Sequence, residues 1–165
     1  MNKQDIINLL NLEPHIEGGY FRETYRDETT MMTERDGGDR PLLTSIYYLL
    51  TDDRPIDYFH QNRSPIMHYF HSGSAITYHL ITPAGEWQTI KLGLNITAGE
   101  VPQLLVPSGH WKTAILEEGE YGLLGESVAP GFDYRDMKVA TLNELTQLYP
   151  QHQKRLVSYI HPEKT

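Results

Sequence analysis

The sequence predicts an all-β protein, a two-sheet sandwich or jelly roll bracketed by short helices, and three observations carry that expectation. Between Tyr20 and Ala140, short runs rich in Tyr, Ile, Val and Thr are separated by Gly, Pro, Asn and Asp at intervals of roughly 8–12 residues. The number of such runs suits two packed antiparallel sheets. Helical periodicity occurs only at the two ends of the chain.

Taken in order, Lys3 to Leu12 places Ile6, Ile7, Leu9 and Leu10 at helical spacing and stops before Pro14, whose ring restricts the preceding residue. One short amphipathic helix is expected. Strands are expected at Tyr20–Arg26, Thr44–Leu50, Ile66–Phe70, Ala75–Ile81, Trp87–Leu92, Gln103–Val106, Trp111–Leu116, Tyr121–Ala129 and Met137–Ala140. Asp27 to Arg40, with Gly37-Gly38 and few large apolar residues besides Met31 and Met32, reads as a mobile loop. After Ala140, Leu142, Leu145 and Leu148 fall in line, and Thr141 is followed three residues later by Glu144 as a capping box requires. Pro150 interrupts, and Leu156, Val157 and Ile160 suit a second helical turn. No linker or repeat divides the chain. A single domain over residues 1–165 follows, its core sandwich spanning about 20–140 with terminal helices packed on it.

Composition bounds the function. With 165 residues, 39% of them hydrophobic, the chain can bury a core of its own. Its 22 acidic against 14 basic residues give a net charge of −8, so a phosphate backbone or an anionic membrane exerts no general attraction, and neither nucleic acid nor membrane is expected as a partner. Apolar stretches such as Ile46 to Leu50 are too short to span a bilayer, and the N-terminus lacks the basic-then-apolar order of a signal peptide, which predicts a cytoplasmic protein. The absence of Cys removes disulfides, thiolate metal sites and a Cys nucleophile; eight His remain as bases or ligands.

The densest polar and aromatic cluster runs from Tyr58 to Gly73 and contains His60, His68 and His71. Strand alternation puts His68 with Phe70 on one face and Tyr69 with His71 on the other. Each imidazole reads either as a hydrogen-bonded structural group or as a base. The His residues at 15, 79, 110, 152 and 161 are scattered and receive no role. A second group, Arg22, Glu23, Tyr25 and Arg26, follows Glu17-Gly18-Gly19, whose glycines permit positive φ or close backbone approach. Alternation pairs Arg22 with Arg26 and Glu23 with Tyr25; the strand is either a solvated edge or presents the Arg22 fork to an anionic ligand. In a third group, Pro130-Gly131 ends a strand and leaves Phe132, Asp133 and Tyr134 at the mouth of the sandwich, where Asp133 could equally fix the turn. Among 11 Tyr and 2 Trp, Tyr48, Tyr78 and Trp111 are expected to line a cavity. Phosphate-loop, zinc-helix and nucleophile-elbow motifs are absent.

The framework resembles the cupin superfamily. Its first motif, laid on this chain, puts its slots on His60, Asn62, Ile66 and Gly73, and its second on Pro107, Gly109 and Lys112. More specifically, Pro14-His15-Ile16-Glu17-Gly18-Gly19-Tyr20-Phe21-Arg22-Glu23-Thr24-Tyr25, Ser45 to Leu50, Phe59-His60 with His68, Val106-Pro107-Ser108-Gly109 with Trp111, and Val128 to Tyr134 are similar, in order, to the cupin family catalogued as domain of unknown function 985. That family is similar in fold to the sugar-nucleotide epimerases of the deoxy-rhamnose pathway. The resemblance implies a double-stranded β-helix from about Ile6 to Tyr159. A metal-binding cupin supplies three His and one Glu, whereas the slots here hold His60, Asn62, Ile66 and Lys112. Ile has no donor atom and an ammonium must first lose its proton, so no metal and no other cofactor is expected.

The function implied is a metal-independent isomerase or epimerase acting on a sugar-like or nucleotide-linked small molecule. His60 is the expected base, Tyr134 the acid, and His68 a second imidazole on the apolar face shared by Ile66 and Phe70, which keeps it neutral unless Glu126 or Asp133 approaches. Tyr48, Tyr78, Trp111 and Phe132 are expected to line the site, with Arg22 and Gln103 at its rim. The alternative is a non-catalytic module that binds a sugar-like or nucleobase-like molecule in the same place. The strand Tyr20–Arg26 offers an edge for a homodimer.

Overall fold

The computed structural model describes residues 1–164, in which two antiparallel sheets pack face to face as the jelly-roll sandwich expected. The first sheet runs β1 (Glu13–Pro14), β2 (Tyr20–Arg26), β5 (Thr44–Thr51), β12 (Tyr121–Val128), β7 (Ile66–Gly73), β10 (Gln103–Val106). The second runs β13 (Met137–Val139), β6 (Ile56–Asn62), β11 (Trp111–Ile115), β8 (Ile76–Ile81), β9 (Trp87–Leu92). A two-residue ribbon, β3 (Thr30–Met31) with β4 (Arg40–Pro41), stands apart. The sequence pattern does not announce β6, because Pro55 precedes it and Asp57, His60, Gln61 and Asn62 interrupt its apolar residues. Pairing with β11 and β13 on its two sides makes it a strand.

Three apolar clusters hold the layers together. Between the sheets, Tyr48, Leu50, Ile76, Tyr78, Leu92, Ala114, Leu116 and Leu124 fill one half of the sandwich. Outside the second sheet, Phe59, Ile81 and Trp111 meet Leu145, Leu156 and Ile160 from the C-terminal segment. That segment begins with α2 (Leu142–Leu148), where the Thr141 hydroxyl accepts from the Glu144 amide as the capping pattern predicts, and continues through α3 (Gln153–Leu156). Outside the first sheet, α1 (Lys3–Leu10) lays Ile6, with Leu12, on Leu49. Each such buried side chain contributes about 1.5–3 kcal/mol. No helix of the described residues is long and apolar enough to cross a membrane.

The segment Asp27 to Arg40, expected to be mobile, is tied down. Arg40 is 0% exposed and donates through Nε and Nη2 to both carboxylate oxygens of Asp136 at 2.9 Å. Arg35 donates to the same Asp136 at 2.8 Å and to Ser64 Oγ at 2.7 Å. Two guanidinium forks converging on one carboxylate fasten the loop to the far end of the chain. Next to this anchor the Gly131 amide donates to Pro41 O at 2.7 Å, and the Phe132 amide to Thr44 Oγ1 at 2.8 Å. The loop thereby sets the position of Phe132–Tyr134.

Candidate functional site

A cavity of about 260 Å³ lies between the sheets, lined by inward residues of β2, β5, β6, β7, β11 and β12 and by Phe132–Tyr134. Three local features decide which side chains reach it. Gly18 has φ +118°, and a Cβ there would stand 1.9 Å from Ile56 O, so the turn lies flat on β6. The Tyr58 amide donates to Glu17 O at 2.9 Å and the Tyr48 hydroxyl to Gly18 O at 2.6 Å, which delivers the Glu17 side chain to the cavity floor. In β6 the register against β11 shifts between Lys112 and Ala114, so that Asp57 and His60, three residues apart, both face inward. In β2 the register against β5 shifts at Thr24, and Glu23 and Arg26 share the inward face with Phe21.

The floor carries two polar groups. In the first, His60 Nε2 lies 3.4 Å from Glu17 Oε2, His60 Nδ1 lies 3.5 Å from Asp57 Oδ1, and His15 Nδ1 lies 3.6 Å from Glu17 Oε2. His60 Nδ1 is 2.8 Å from Tyr58 O, which can only accept, so Nδ1 carries the proton and Nε2 the lone pair. Burial holds His60 neutral, its pKa well below the usual imidazole value, with the Lys112 charge adding to the effect. Burial likewise lowers His15 to about 4. The same burial pushes Asp57 up to about 7 and raises Glu17 well above the carboxylate range, the neighbouring Asp57 raising it further.

In the second group, Glu126 Oε1 lies 3.2 Å from His68 Nδ1 and 3.6 Å from Lys112 Nζ, and the Tyr78 hydroxyl lies 3.1 Å from His68 Nδ1. Burial opposes ionisation of Glu126, yet the Lys112 ammonium and His68 hold its pKa well below the usual range. Glu126 does approach His68, but burial outweighs it and the imidazole pKa is lowered. At the mouth, Arg26 grips Glu23 through Nε at 2.9 Å and Nη2 at 2.7 Å and donates to Phe132 O at 3.3 Å. Phe132 meets Tyr134 edge-on, with ring centroids 5.0 Å apart.

Of the residues expected from the sequence, His60, Tyr48, Phe132 and Tyr134 line the cavity. His68 and Tyr78 are buried beneath its surface, where they brace Glu126. Trp111 is a correction. It packs outside the second sheet with Phe59, and its neighbour Lys112 takes the inward place. Arg22 is another: the shift at Thr24 breaks the alternation that paired it with Arg26, and its guanidinium lies 5.9 Å over the outward Tyr47 ring. Gln103 is a third, exposed on the edge strand opposite Tyr69 and away from the cavity mouth. Sequence reasoning missed His15, Glu17, Asp57, Glu23, Arg26 and the role of Glu126. His15 and Glu17 stand in the Pro14–Tyr25 segment, but the inward turn of Asp57 leaves no mark in a two-residue alternation.

The positions of the standard cupin metal ligands, His60, Asn62, Ile66 and Lys112, all face the cavity. Ile66 has no donor atom and Lys112 is an ammonium paired with Glu126, which leaves one imidazole and one amide oxygen, so a cation in that geometry does not fit these residues. Glu17, Asp57 and His60 each place one oxygen or nitrogen within 4.8 Å of the others, a cluster that shares only His60 with those positions.

Comparison with known proteins agrees with this architecture. A family model described as "Cupin superfamily (DUF985)" matches residues 4–140. An uncharacterised protein of Saccharomyces cerevisiae, YML079W, is 42% identical over 146 residues, covering 81% of this chain and 72% of the yeast protein. A solved structure of protein SO0799 from Shewanella oneidensis superposes with a TM-score of 0.89 at 37% identity, covering 98% of this chain and 99% of that one. A hypothetical protein from Leishmania major gives a TM-score of 0.91 at 28% identity, with 98% and 99% covered.

Proposed function

Because this chain belongs to the cupin superfamily, in the family of unknown function 985, we propose that its cavity binds a sugar-like or nucleotide-linked small molecule and isomerises it by metal-independent proton transfer. One observation supports this above the others. The floor sets a neutral imidazole, its Nε2 lone pair turned from the backbone, beside two carboxyl groups whose pKa values burial raises.

His60 Nε2 takes a proton from a ligand carbon, and the Lys112 ammonium stabilises the negative charge that develops. Tyr134, whose phenol is kept protonated by partial burial and nearby carboxylates, returns a proton from the mouth. The test is incubation with sugar nucleotides, free sugars and keto acids in D2O, followed by mass spectrometry. Deuterium should enter one ligand, and His60→Asn should slow its entry by about 100-fold. Binding without deuterium entry would make the protein a non-catalytic binding module.

A further inference from the structure

The cavity holds more carboxyl groups than cations. Arg26 matches Glu23, Arg135 matches Asp133 and Lys112 matches Glu126. Among the described residues, Glu17 and Asp57 have no Lys or Arg within ion-pair distance, and their imidazole neighbours are neutral. Both are deeply buried, 4% and 2% exposed, and Glu17 Oε1 and Asp57 Oδ1 find no hydrogen-bond donor in the fold. Unmet buried acceptors cost free energy, and both residues line the cavity.

We infer that the ligand of this cavity carries a protonated amine that donates to Glu17 and Asp57. An ammonium has three N–H donors and no acceptor. One oxygen from each of Glu17 and Asp57 and a ring nitrogen of His60 all lie within 4.8 Å of one another, so one small cation can face both carboxyls at once. The ammonium supplies the countercharge that these carboxyls need in order to ionise, so the protons that burial favours on them pass to solvent as it binds. None of the other groups facing them takes up those protons. His15 and His60 are kept neutral by burial, the Tyr48 phenol already holds its own proton, and Glu126 stays ionised against Lys112.

The inference rests on the cavity being a ligand site but not on catalysis there. Calorimetric titration with glucosamine and benzylamine, each set against glucose and benzyl alcohol, tests it. The amines should bind about tenfold or more tighter than the alcohols. A pH indicator in weakly buffered solution should record proton release from the wild-type protein. Glu17→Gln and Asp57→Asn should each weaken amine binding about tenfold and narrow its advantage over the alcohols. Equal affinities, no amine binding or no proton release would overturn the inference. So would stoichiometric binding of Zn2+ or Mn2+ that amines do not displace and the same substitutions abolish. Should either variant fail to fold, the amine-to-alcohol ratio and proton release of the wild type decide. Amine binding without deuterium exchange would remove the catalytic reading alone.

Discussion

At the scale of single residues, the pKa of Asp57 makes folding depend on pH. Its folded value of about 7 lies above the ordinary 3.8, so between those limits the unfolded chain loses a proton that the folded chain keeps. Stability from this group therefore falls as pH rises from about 4 to 7 and is level above. Asp57→Asn removes the penalty. In urea titrations the variant's advantage over wild type should grow across that window by on the order of 2–4 kcal/mol. Glu126 behaves in the opposite sense. Its lowered pKa contributes stability above pH 4.5 that is lost as acid titrates it. Lys112→Met leaves that carboxylate buried without its cation and should cost about 3–5 kcal/mol. Adding Glu126→Gln should restore most of the loss, as a double-mutant cycle would measure.

At the scale of elements, the turn at Gly18 and the anchor at Asp136 hold the site's walls in place. Gly18→Ala combines a positive φ with a Cβ driven into Ile56 O, so the turn must lift from β6 and carry Glu17 with it. A loss of about 2 kcal/mol or more in denaturation is expected, with weaker ligand binding in the same variant. Asp136→Ala leaves Arg40 buried without its carboxylate, and limited proteolysis should then cut within Asp27–Arg40 faster than in the wild-type protein. The site was partly legible at this scale. Uninterrupted alternation correctly brings Ile66 and His68 to one face of β7. It fails in β2 and β6, where an extra residue re-aims Arg26 and Asp57, because a bulge depends on pairing with strands distant in sequence.

For the molecule as a whole, half the sandwich is filled by apolar side chains and half is left as a cavity with charged groups on its floor. The outer edge of β2 is covered by β1 only opposite Tyr20 and Phe21. A homodimer through the open edge is our proposal, and light scattering should give twice the 19.0 kDa chain mass. Period and punctuation were enough to foresee the sandwich, most of its strands and the Thr141 cap, because each depends on neighbours close in sequence or on strict alternation, whereas the inward place of His60, on a strand the pattern does not announce, was implied by the cupin resemblance alone. The site's charges could not be foreseen in that way. Whether Asp57 keeps its proton, whether Glu126 reaches Lys112 and His68, and whether Trp111 or Lys112 faces inward depend on desolvation and on which strands meet across the sandwich. Those are properties of long-range packing, which local patterns do not encode.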